Sequence, residues 1–141
     1  MMHARVVCAF AASIVMSAGA PTLRAQASRA QALREIGRTG AGNPVLVEPR
    51  TVRRQAPLLH ATVRVRFTKA VRTPRGDWWS SRTRLTFDCS ARQVKVLEHW
   101  YYGDTTWRRV VDHIVPGQPA FGTLLGASMT AVSYDALCPV R

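Results

Sequence analysis

Three histidines, two cysteines and a set of arginines and tryptophans carry whatever chemistry residues 28–141 can do. His60, His99 and His113 are candidate acid–base groups or metal ligands, and Cys89 and Cys138 are candidate nucleophiles or disulfide partners. A Ser/His/Asp or Cys/His arrangement needs its base within hydrogen-bonding reach and oriented by a third group. The three histidines fall on separate predicted strands with no motif around them. His99 and His113 could meet across neighbouring strands and bind a metal, but no carboxylate or third ligand stands at a telling spacing. Gly37, Gly40 and Gly42 precede no convincing helix and lack the lysine of a phosphate-binding loop. No catalytic residue, metal ligand or cofactor site is therefore expected. A small secreted nuclease-like enzyme is the one catalytic class that basic charge plus histidine would permit.

The cysteines gain meaning from the N-terminus. Residues 1–27 open with His3 and Arg5, run through the small and apolar stretch Val6 to Ala20, and close on Ala25-Gln26-Ala27 ahead of Ser28. This is the pattern of a cleavable export signal. The apolar run falls short of the roughly 20 residues that a bilayer needs, so no transmembrane segment is expected once the signal is removed. Cys8 begins the apolar run instead of ending it, which places it in the discarded peptide and not at a lipidation site. Two thiols left in an exported domain, residues 28–141, predict one disulfide between Cys89 and Cys138. Closing a loop of about 50 residues would contribute roughly 4 kcal/mol in the chain-entropy model.

Charge is the second signal. Removing Arg5 and Arg24 from the twenty basic residues leaves eighteen against eight acidic ones, a formal charge of +10. All of these cations except Lys69 and Lys95 are arginine, whose planar fork suits carboxylate, phosphate and sulfate. An acidic surface or polymer is a reasonable partner, and a merely soluble basic surface is the plain alternative.

The elements that must position these residues read mostly as strands. Ser28 to Ile36 has helical character, and Arg38 to Asn43, with Gly37, Gly40 and Gly42, is a turn. Val45 to Glu48 is a short β run ended by Pro49. From Leu58 to Lys69 the residues Ala61, Val63, Val65 and Phe67 alternate with His60, Thr62, Arg64, Arg66 and Thr68, the period of a half-buried antiparallel strand. Pro74 to Asp77 is a turn. Arg82 to Cys89 alternates again, with Thr83, Leu85, Phe87 and Cys89 opposite Arg82, Arg84, Thr86 and Asp88. Val94 to Tyr102 is a β-branched and aromatic strand in which Glu98 interrupts the face of Val94, Val96, Trp100 and Tyr102, and a bulge or partial exposure would reconcile it. Thr105 to Val115 supplies a further strand, and Pro116 to Gly126 a long connection. From the N-cap Ser128, the spacing of Met129, Val132, Ala136 and Leu137 predicts an amphipathic helix ending at Cys138.

Arg64, Arg66, Arg82 and Arg84 would share an outer face if their two strands lie in one sheet, with Trp78, Trp79 and Trp107 near its margin. Guanidinium forks beside indoles suit sulfated or phosphorylated glycans, lipid phosphates or a nucleic acid backbone. A solvated face with core tryptophans is the competing reading.

The succession REIGRTGAGNPVLVEPRTVRR, VRVRF, LTFDC, VKVLEHWYY and GASMTAVSYDALC resembles the small exported domains of the bacterial surface-adhesin protein E family. Its most specific parts are Phe87-Asp88-Cys89, Tyr101-Tyr102 before a turn, and Gly126-Ala127-Ser128 leading to Cys138. The resemblance implies an α+β fold: a short antiparallel β-sheet covered on one face by a C-terminal helix that a disulfide ties to the central strand. It departs from the pattern at Leu33 and Arg34, where many members carry a tryptophan. The function it implies is a non-catalytic exported envelope or surface protein, an adhesin-like binding module for host or envelope macromolecules. The alternative is a periplasmic protein that binds an anionic polymer such as lipopolysaccharide, sulfated glycan or nucleic acid, or that plays a purely structural part. Either location, periplasm or cell surface, belongs to a Gram-negative bacterium.

Overall fold

The structure, a computed structural model, describes residues 32–138. The expected export signal, residues 1–27 with Cys8, lies outside them. The described chain runs β1 (Arg34–Arg38), β2 (Pro44–Val47), a 3-10 turn (Pro49–Thr51), β3 (Arg53–Gln55), β4 (Leu58–Val71), β5 (Trp78–Asp88), β6 (Gln93–Tyr102), β7 (Val110–Ile114), β8 (Gly122–Thr123) and a helix, α1 (Met129–Leu137). The strands form one sheet in the order β1-β2-β4-β5-β6-β7, with β3 also on β4 and β8 on β6. Every pairing is antiparallel.

The alternation in β4 and β5 places their side chains as their periods predict. Leu59, Ala61, Val63, Val65, Leu85 and Phe87 are buried on one face, and Arg64 lies opposite Arg82 on the other. In β6 a single register shift, falling between Arg84 and Leu85 of its partner, inserts Leu97 as an extra residue. The bulge reverses which parity faces which side. Val94 and Val96 pair with Phe87 and Leu85 of the apolar face, whereas Trp100 and Tyr102 pair with Arg82 and Ser80. Glu98 therefore interrupts no apolar face; it lies beside Arg84 on the basic one.

Of the stretch Ser28 to Ile36, expected to be helical, residues 28–31 lie outside the described residues and Arg34 to Ile36 belong to a strand. Residues 34–38 pair with β2, because so short a helix is marginal in water while a β partner lies one turn away. Thr105 to Val115 is shorter than its composition suggests, since a turn holds Thr105 to Arg108 and only Val110–Ile114 pairs. β3 and β8 are too brief to show a period in sequence.

α1 begins where its cap predicts: the Ser128 hydroxyl accepts from the Ala131 amide at 3.3 Å. Its buried residues are Ala131, Ser133, Tyr134 and Leu137, while Ala136 is exposed and Met129 and Val132 are half-buried. Tyr134 carries this packing. Its ring meets Phe87 edge-on, and its hydroxyl donates to the Cys89 carbonyl at 2.7 Å. Tyr134, Leu137 and Cys138 join Val47, Leu59, Ala61, Val63, Leu85, Phe87 and Val94 in one core. The helix contacts run to β1 and β2. Gly37 permits this approach, because a Cβ there would lie 2.7 Å from Val132 Cγ1. The disulfide joins Cys89, just past β5, to Cys138 at the end of α1.

Candidate functional site

The basic face owes its geometry to a break in an edge. β2 and β3 both pair along the same side of β4, β2 with Val63 to Val65 and β3 with Leu58 to His60. Pro49 and the 3-10 turn fill the gap between them. Thr62 fastens this gap at two points: its carbonyl accepts from the Glu48 amide and its amide donates to Thr51 Oγ1, which in turn donates to the Glu48 carbonyl. Glu48 is thereby held where its carboxylate reaches across the sheet.

Glu48 Oε1 accepts from Nε of both Arg64 and Arg82 at 2.7 Å, and Oε2 accepts from Arg82 Nη2 at 3.2 Å. Burial would raise the Glu48 carboxyl, but the hydrogen bonds from Arg82 and Arg64 outweigh it and hold the group below its ordinary value. The same bonds, donated by Arg82 to Glu48, raise Arg82. A second carboxylate, Glu98, accepts from Arg84 Nη1 at 2.9 Å and pairs with His113 Nε2 at 2.8 Å. Burial opposes ionisation there too, and the bonds from His113 and Arg84 prevail.

Aromatic rings fill the spaces between these charges. Arg82 lies 4.9 Å from the Trp100 ring centre, and Trp100 stacks on His113. Arg64 and Arg66 both lie over Trp107, at 5.0 and 4.8 Å. Trp107 is carried on a turn with φ of 57°, a left-handed conformation that an indole residue rarely adopts. Asp104 enforces it by accepting from the amides of Thr106, Arg108 and Arg109. Those bonds, that from the Arg109 amide first, hold the Asp104 carboxyl far below its ordinary value.

The structure brings Arg64, Arg66, Arg82 and Arg84 onto one face, with Trp107 among them. It separates Trp78, which stacks on Tyr101 with ring centres 3.7 Å apart; Tyr101 pairs with Ser81, on the side opposite Arg82. Trp79 is exposed and contributes to neither group. Trp100, Glu48 and Glu98 are the members that sequence reading missed. The histidines are likewise divided. His60 and His113 lie on the basic face, whereas His99 pairs with Thr83 on the other and hydrogen-bonds its hydroxyl at 2.9 Å. His99 and His113 therefore cannot share a metal. Among the described residues no three His, Cys, Asp or Glu side chains form a metal-binding group. No helix among them is long and apolar enough to cross a membrane.

A disulfide-tied antiparallel sheet with one basic, aromatic face and one C-terminal helix defines a small β-rich domain. The chain belongs to the surface-adhesin protein E family, whose model matches residues 33–112 and so spans β1 to most of β7. Among solved structures, crystal form II of Haemophilus influenzae protein E superposes with a TM-score of 0.52 at 11% identity, covering 72% of this chain and 84% of that one. A further structure of Haemophilus influenzae protein E gives 0.51 at 10% identity, over 75% and 83% of the two chains. At such identities the likeness shows the fold. Comparison with curated proteins gave no match.

Proposed function

We propose that this protein is an exported, non-catalytic surface adhesin that engages host or envelope macromolecules through its arginine and tryptophan face. Residues 1–27 serve as the cleavable export signal, and residues 28–141 form the mature domain, placed in the periplasm or at the surface of a Gram-negative cell. In this reading α1 covers the opposite face of the sheet and leaves the basic one open. The observation that carries it is the Arg64–Arg66–Trp107 stack, a rigid cationic and aromatic anchor in a chain of this family. Arginine and tryptophan are the residue types that dominate binding energy at protein surfaces.

The test is binding of the mature domain to immobilised host-matrix proteins and to heparin. Arg66→Gln combined with Trp107→Ala should weaken binding by about tenfold or more. Unchanged binding by a folded double variant would remove the face from the function. A second reading, a periplasmic binder of anionic polymers, draws on the charge of the face, where Arg64, Arg66, Arg82, Arg84 and Lys95 outnumber Glu48, Asp88 and Glu98. Polyanion affinity should fall steeply with added salt; an interface anchored on aromatic rings should fall much less.

A further inference from the structure

At one end of the basic face, between β4 and β5 and against β6, lies a groove of about 330 Å³ lined by Thr51, His60, Thr62, Arg82, Arg84 and Leu97. We infer that this groove binds the phosphate or sulfate group of a monoester, with the ester's organic part resting on Leu97. The inference rests on reading the basic face as a binding surface and names the chemistry of one part of it.

Donors dominate the unspent polar atoms on the groove walls. Arg82 commits Nε and Nη2 to Glu48 and keeps Nη1. Arg84 commits only Nη1 to Glu98, leaving Nε and Nη2. His60 uses Nδ1 on the Thr86 hydroxyl, at 2.9 Å, so that Nε2 remains; in the tautomer in which Thr86 donates to Nδ1, Nε2 carries the proton. The Thr51 hydroxyl is already engaged at both ends, whereas that of Thr62 has no protein partner among the described residues. Neither Glu48 nor Glu98 lines the groove. Both sit behind the guanidiniums and orient them, as carboxylates orient arginine forks toward an oxyanion.

The groove also contains the apolar side chain of Leu97. Leu97 is the extra residue of the β6 bulge, and bulges re-aim side chains beside sites that use them. Two guanidiniums, an imidazole and a hydroxyl beside the apolar Leu97, with Ala61 and Leu85 also in the lining, match a tetrahedral oxyanion that carries a carbon substituent. A bare ion would leave Leu97 without a partner.

Amide chemical shifts followed by NMR during titration of the mature domain with phenyl phosphate, and separately with inorganic phosphate, test this. Saturable shifts confined to the neighbourhood of Thr62, Arg84 and Leu97, with phenyl phosphate the tighter of the two, are expected. Arg84→Gln should weaken phenyl phosphate by about tenfold or more, and Arg38→Gln, on the edge strand β1 and outside the groove, should leave it unchanged. A sulfated disaccharide and vesicles containing phosphatidic acid, added in separate arms, distinguish a glycan from a lipid source; shifts in the groove from either support it. No saturable shift in the unaltered protein, or shifts centred on Arg66 and Trp107, would overturn the inference whether or not the variants fold. Retained heparin binding without phenyl phosphate shifts would remove the groove and leave the wider face standing. Groove shifts without heparin binding would do the reverse.

Discussion

One carboxylate, Glu48, holds two guanidiniums that face each other across β4 and β5. Glu48→Gln would leave Arg64 and Arg82 opposed and half-buried with no anion between them, at a cost of about 2 kcal/mol given their partial exposure; urea unfolding of the variant measures it. Protonation probes the same contacts. Burial lowers His99 from its ordinary 6.5, and Glu48 and Glu98 lie below their ordinary 4.5. In each case the unfolded chain takes up protons before the folded one, so stability is full above the ordinary value and falls as pH drops. The melting temperature should decline first below about pH 6.5, through His99, and then more steeply below about pH 4.5, through the carboxylates. His99→Gln should flatten the first decline and leave the second; an unaltered first decline would assign it elsewhere. The arginines of this face were legible from alternation alone. Glu48 was not, because its partners lie 16 and 34 positions away and only the fold brings them together.

At the scale of elements, β4, β5 and α1 could be read from period and capping, while β1 could not. Its residues carry a weak helical pattern that pairing with β2 overrides. The β6 bulge explains why Glu98 seemed misplaced: one inserted residue exchanges the two faces, and sequence shows the conflict without showing its position. The contact between β1 and α1 yields a sharp expectation. Gly37 has φ of 151° and faces Val132 at a distance that no added methyl fits. Gly37→Ala should cost roughly 1–3 kcal/mol. Val132→Ala in the same chain should restore the part due to collision and leave the part due to backbone strain, which a double-mutant cycle by chemical denaturation separates. Equal losses in single and double variants would deny the contact its role.

For the whole molecule, the fold class and the Cys89–Cys138 link were readable from two cysteines, alternation and a terminal helix, whereas the strand order needed the structure, since β2 and β3 share one edge of β4. Cys89→Ala and Cys138→Ala should each lower stability by about 2–4 kcal/mol, with the double variant little worse, because one bond is lost in every case. Single variants that differ by several kcal/mol in thermal unfolding would contradict this. The link also decides how the domain answers a mechanical load, such as a surface protein meets in flow. A pull on the two ends of the chain passes from β5 to Cys89 and across the bond to Cys138, bypassing β6, β7, β8 and α1. The 49-residue span between the cysteines cannot lengthen until the bond is reduced, which withholds about 170 Å of contour. Stretched one molecule at a time, the oxidised domain should release only its first five strands, and the missing extension should appear on adding a reductant.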